Sequence, residues 1–200
     1  MNHKYQVLIL FLGIMTTPLG WAEGNQVKQP VDTCIASLCL EKKDLTYQRL
    51  KKELGSGAPV TLRGDRKTLC FFDDQQALWL LLKFDTHSYY RQAALETIFV
   101  STEQICTEKA TPLATLKELK TNGGARVGMT ETELLKLKGQ PTRTVDSVKR
   151  EMESQISYSD TLRAPRFGEK VFIYQEDRIQ SNSFYISGGK VKSIWVSDAE

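Results

Sequence analysis

The stretch "LETIFVS", Leu95 to Ser101, returns as "VKSIWVS", Val191 to Ser197. Both read aliphatic, charged, small hydroxyl, Ile, aromatic, Val, Ser. A strand that occurs twice points to a unit that occurs twice, and such a unit limits the fold more than any composition value does. Other matches fall in the same order. Thr46, Leu50 and Gly55 correspond to Thr130, Leu134 and Gly139 at a constant offset of 84. "LCFFD" (Leu69 to Asp73) faces "ISYSD" (Ile156 to Asp160) at 87, and the final strands stand at 96. The offset grows only between elements, as loop insertions would make it grow.

The first residues are read apart from the fold. Lys4, the apolar run Val7 to Met15, Pro18, and Gly20 and Ala22 at the cleavage positions form a signal peptide over residues 1–22. The run is shorter than the ~20 residues that span a bilayer. Cleavage near Ala22 leaves 178 residues starting at Glu23, periplasmic or secreted, with no cysteine near the cut for lipid attachment. The remaining 26 basic and 24 acidic residues are too evenly balanced for nucleic-acid binding.

Four cysteines in an exported chain favour disulfides, and the pairs expected are Cys34–Cys39 and Cys70–Cys106. With no Cys-x-x-Cys and His87 as the single mature histidine, metal ligation is poorly supplied, and no cofactor is expected.

Each unit reads as helix, helix, then a strand meander: residues 30–106 and 111–198. Pro30 and Thr33 introduce a first short helix, and "PLATLKELK" (Pro112 to Lys120) its counterpart. The next helix runs from Thr46 to Gly55, with Tyr47, Leu50 and Leu54 on one face. Its partner starts at Thr130, with Glu133 completing a capping box, and stops at Gly139 before Pro141. Strands are expected over Leu69–Asp73, Ala77–Asp85 and Leu95–Ser101, then Gln155–Asp160, Lys170–Glu176, Asn182–Ser187 and Lys190–Ser197. "SGGK" makes the last hairpin turn. The expected class is α+β: two tandem helix-helix-meander units, antiparallel sheets covered on one face by helices.

Alternation splits each strand. Ile98, Val100, Val171, Ile173, Ile194 and Val196 turn towards helices. Phe99, Phe172, Tyr174 and Trp195 turn the other way among small hydroxyls, and Trp79 joins them. Such a face suits protein binding; the same rings serve equally to pack against the other unit or against loops. The long connection Asp85 to Ala94 carries Tyr89, Tyr90 and Arg91, a candidate binding tip or an ordinary surface loop.

"GMTETELLKLKGQP" and "YISGGKVKSIWVS" resemble the SmpA/OmlA (BamE) outer-membrane assembly family, whose members show a Gly-Met-Thr start, a Leu-rich helix, a Gly-x-Pro stop and a final "GKV" strand. The match covers Gly124–Ser197 and is weaker over Cys34–Ser101. A tandem pair is similar to the β-lactamase inhibitor proteins, which clasp an enzyme with an open sheet face and an aromatic loop tip. The resemblance implies a protein partner.

Nothing in the sequence supports catalysis: no Gly-x-Ser-x-Gly elbow, His-x-x-x-His pair or nucleotide fingerprint occurs. Asp73 and Asp160 recur at equivalent strand ends, where turns use Asp often, and Arg63–Asp65 spells "RGD" in a polar loop. The leading expectation is a non-enzymatic exported module that inhibits or neutralises a protein partner, as a hydrolase inhibitor or an immunity protein does. Behind it stand an envelope-assembly scaffold and, third, an enzyme with carboxylate chemistry.

Overall fold

A computed structural model describes residues 31–58, 67–85, 93–106, 108–145, 170–176 and 180–198. The signal-peptide reading, the Arg63–Asp65 tripeptide, His87, Tyr89, Tyr90, Arg91 and the strand at Gln155–Asp160 lie outside these residues.

In chain order the elements are β1 (Cys34–Ile35), β2 (Leu38–Cys39), α1 (Tyr47–Leu54), β3 (Lys67–Asp73), β4 (Leu78–Asp85), β5 (Ala94–Ser101), α2 (Glu131–Lys138), β6 (Arg143–Val145), β7 (Lys170–Glu176), β8 (Gln180–Ser187) and β9 (Lys190–Asp198). β1 and β2 form a small hairpin. The other seven strands form one antiparallel sheet in the order β3-β4-β5-β9-β8-β7-β6.

The echoed strands are neighbours. β5 pairs with β9 so that Phe99 lies opposite Trp195, Ile98 opposite Val196, and Val100 opposite Ile194. Equivalent residues meeting in an antiparallel ladder define a local twofold axis, and here it passes through the Phe99–Trp195 pair. The order outward from this seam is β5-β4-β3 on one side and β9-β8-β7 on the other. By position in the sheet, β3 therefore corresponds to β7.

The helices obey the same relation. Thr46 and Thr130 cap α1 and α2, each accepting from the amide three residues on, and Gly55 and Gly139 close them. Thr130 and Glu133 complete the capping box; Arg49 stands at that place in α1. Each helix is docked to its own final strand by matching backbone bonds. Tyr47 N–H donates to Ala93 O and Leu95 N–H to Leu45 O; likewise Glu131 N–H donates to Gly189 O and Val191 N–H to Met129 O.

The expected α+β class of two helix-helix-meander units is overturned. The structure is mostly β, with one helix in each half among the described residues and a single sheet running through both halves. At the first expected helix the chain instead forms the β1–β2 hairpin, closed by the Cys34–Cys39 bridge. The segment 112–120 is irregular. Its leucines at three-residue spacing fit a helix, but a nine-residue helix is marginal alone. An extended chain also covers more than twice the distance per residue, and this segment has distance to cover.

That distance is the gap between the halves, because the leading segments cross over reciprocally. The segment before α1 lies on the second half: Asp32 N–H donates to Asn182 Oδ1 (2.6 Å) and Asn182 Nδ2 donates back to Asp32 O (2.6 Å). The segment before α2 lies on the first: Leu119 N–H donates to Gln76 Oε1 (2.8 Å) and Gln76 Nε2 donates to Lys117 O (3.2 Å). In both, a side-chain carboxamide takes the place of a neighbouring strand's backbone. The two straps also touch: Ala36 N–H donates to Lys120 O and Asn122 N–H to Cys34 O.

The core lies on both faces of the sheet. The first face, with Leu80, Leu82, Ile98, Val100, Phe184, Ile194 and Val196, packs against Leu50, Leu54 and Leu134 of the helices and against Ile35, Leu38 and Leu119 of the straps. A smaller cluster on the second face holds Trp79, Leu81, Phe99, Tyr185 and Trp195, with Ile105 and Cys106 packed over it. Cys70–Cys106 ties that covering segment to β3. Gly188 and Gly189 both have positive φ, 56° and 68°, the geometry of a two-residue β8–β9 turn matched to sheet twist.

Candidate functional site

The strand registers line the second face in three rows. The middle row runs Ile173, Ser183, Trp195, Phe99, Leu81, Cys70, from β7 to β3. On one side lies Val171, Tyr185, Ser193, Ser101, Trp79, Phe72. On the other lies Gln175, Ser181, Ser197, Thr97, Lys83, Thr68, an all-polar row. Six strands at ~4.8 Å spacing make this polar row about 24 Å long.

The aromatic face is not displayed. Phe99 is 0% exposed, Trp195 8% and Trp79 4%, and they pack as core: Phe99 on Trp195 with centroids 5.2 Å apart, Phe99 on Tyr185 edge-on, Trp79 on Phe72. Phe172 and Tyr174 are also buried, and on the opposite face; Tyr174 meets Phe184 edge-on there, and Val171 and Ile173 take the second face. The expectation put aliphatic side chains towards the helices. In "KVFIYQ" both parities are apolar, so periodicity had no polar side to fix the orientation. Of the expected binding residues, then, all five within the described segments are interior, and Tyr89, Tyr90 and Arg91 fall outside them.

The β7–β9 part of the second face reaches solvent, and so, on β3 and β4, do Phe72, with Lys109 Nζ over its ring, and Lys83, paired with Glu96. Ile173, Gln175, Ser181, Ser183 and Ser197 are each half-buried. The hydroxyls of Ser181 and Ser197 are hydrogen-bonded at 3.0 Å. Deeper, those of Ser101 and Ser193 are bonded at 2.7 Å across the seam, and Ser101 Oγ also accepts from Glu103 N–H.

A second polar constellation lies on the first face, and the sequence reading missed it. Lys138 Nζ donates to Asp32 Oδ2 at 2.9 Å, with side chains 3% and 4% exposed. Asp32 Oδ1 accepts from Gly123 N–H at 2.8 Å, and a Cβ at Gly123 would collide with that oxygen. Tyr174 roofs the cluster, its ring 5.8 Å from Lys138 Nζ and its hydroxyl donating to Gly139 O. Burial pushes the Tyr174 hydroxyl up to about 12. The groups satisfy one another, so the cluster locks the first strap in place. Its only trace in the sequence is a glycine in "NGG", since Gly123 and Lys138 lie 91 and 106 residues from Asp32.

Asp73 is turn chemistry: its carboxylate accepts from the amides of Gln75 and Gln76 and from Gln76 Nε2. Both cysteine pairs are bridged as expected, which fits an oxidising compartment. Among the described residues no group of three or more His, Cys, Asp or Glu is placed to hold a metal ion, and no helix is long and apolar enough to cross a membrane.

No family model matches the chain, and no curated protein matches it. Among solved structures it is similar to YjgB, a DUF4309 family protein from Bacillus subtilis. The identity is 14%, over 86% of this chain and 88% of that one, with a TM-score of 0.42.

Proposed function

We propose that this chain is an exported, non-enzymatic module that inhibits or neutralises a protein partner, periplasmic or secreted after cleavage near Ala22. The contact surface is the half-exposed β7–β9 part of the second face, Ile173, Gln175, Ser181, Ser183 and Ser197. The observation that supports this reading is the pattern of those residues: small hydroxyls around an aliphatic side chain, on three adjacent strands backed by the Trp195–Phe99–Tyr185 core. Hydroxyls adapt to many polar partners, and rigid strands lose little entropy on binding. Two disulfides fit the export reading.

The test is affinity capture from envelope and culture fractions, followed by Ser183→Arg and Ser197→Arg. The variants should keep the native circular dichroism spectrum while the captured partner binds at least ~10-fold more weakly, since a desolvated long cation sits in the interface. Unchanged affinity sinks the surface assignment. The second reading, an SmpA/OmlA-like assembly scaffold, draws support from the Thr130 cap and Gly139 stop, which stand at that family's motif positions. Capture of barrel-assembly components would favour it.

A further inference from the structure

The two disulfides differ in a way that separates their roles. Cys70 and Cys106 are both 0% exposed, inside the second-face core. Cys34 and Cys39 are both partly exposed, at the base of the β1–β2 hairpin. This second bridge lies within the strap that crosses to the other half. It closes a turn in which Ala36, a residue with a Cβ, is held at φ 55°, a left-handed conformation that costs energy outside glycine and persists only when its surroundings enforce it.

Next to the bridge stands Thr33, buried, with Oγ1 3.7 Å from Cys34 Sγ. A disulfide sulfur carries no hydrogen, so the threonine hydroxyl is the donor. Such a donor stabilises negative charge on Cys34 Sγ, and a stabilised thiolate is a faster leaving group.

We propose that Cys34–Cys39 is a thiol–disulfide exchange site for a protein dithiol of the Cys-x-x-Cys type, and that its redox state sets how tightly the first strap grips the second half. A thiolate of the reductant attacks Cys39 Sγ. The Sγ–Sγ bond breaks and Cys34 leaves as the thiolate, hydrogen-bonded by Thr33. The reductant's second thiolate then attacks its own sulfur in the mixed disulfide and releases the Cys39 thiolate. Two electrons pass to the bridge, the reductant becomes a disulfide, and the protons from its two thiols end on Cys34 and Cys39. Without the bridge the Ala36 turn relaxes, and the bonds Ala36 N–H to Lys120 O and Asn122 N–H to Cys34 O open. Asp32 stays anchored by Asn182, Gly123 and Lys138, so the strap loosens without leaving. This site is independent of the partner-binding surface.

The experiment treats the oxidised mature chain with dithiothreitol under native conditions, followed by alkylation, peptide mapping and hydrogen exchange. Cys34 and Cys39 should be alkylated while Cys70–Cys106 remains bridged, and exchange should rise at Ala36 and Asn122 but not in β4 and β5. Thr33→Val should slow the reduction about threefold, the leaving-group effect of roughly one pKa unit. The double variant Cys34→Ser with Cys39→Ser should show the loosened exchange pattern without reductant. Reduction of both bridges at one rate overturns the proposal. So does loss of Cys34–Cys39 with unchanged exchange at Ala36 and Asn122.

Discussion

Asp32 shows how one residue joins distant parts of the chain. Its backbone is held by Asn182, one carboxylate oxygen by Gly123 and the other by Lys138. A buried pair contributes little compared with a well-packed apolar replacement, but removing one partner strands the other. Lys138→Met should therefore cost about 3–5 kcal/mol in urea denaturation, and Lys138→Met with Asp32→Leu should recover part of that loss. Asp198 is the opposite case. Its Oδ1 is buried without a hydrogen-bond partner, and burial, then Glu41 and Glu96, push its carboxyl above the usual range. A raised folded value means that this group favours folding when protonated, and that the contribution is lost as pH rises through the folded value. Asp198→Asn should thus stabilise the protein at neutral pH by roughly 0.5 kcal/mol, the scale of a partly solvated charge. The gain should vanish in acid, as melting curves across pH would record. A neutral-pH loss on this substitution would contradict the assignment.

At the scale of elements, α1 and α2 are the same device with different finish. Thr46→Ala and Thr130→Ala each remove a side chain that accepts a first-turn amide, at a cost of about 1 kcal/mol. The Thr130 change should cost the more, because Glu133 then loses the hydroxyl that its carboxylate accepts from; denaturant midpoints of the two variants compare them directly. These helices were legible because caps, stops and leucine spacing agree. Strands β5, β7 and β9 were legible as strands because each is a short run rich in β-branched and aromatic residues. The parity of β7 was not, since Phe172, Ile173 and Tyr174 offer no polar side to set it. Residues 112–120 misled because Leu113, Leu116 and Leu119 keep helical spacing, while their surroundings require reach: Leu119 is buried and Leu113 is 78% exposed. Gln76 and Asn182, which hold the two straps, are ordinary polar residues until the fold brings the straps to them.

For the molecule as a whole, the seam explains why an internal repeat yields one sheet. Each half presents its last strand, and the two pair residue for residue around Phe99 and Trp195. The outer edge of β3 is occupied as well: Ala58 N–H donates to Cys70 O and Phe72 N–H to Ala110 O, so those groups are withheld from stray strand pairing. The interior rings that looked like a binding face are what a seam needs: large apolar surface where two similar halves meet.

The reciprocal straps also impose an order in time. Synthesis from the N-terminal side delivers Asp32 150 positions before its receptor Asn182. The short Cys34–Cys39 loop can close at once and the Cys70–Cys106 loop soon after, with separations of 5 and 36. The first strap, by contrast, cannot complete its docking until β8 exists, because Asn182 holds the Asp32 backbone. The first strap is thus the last part of the fold to settle, and its docking is timed by the arrival of β8.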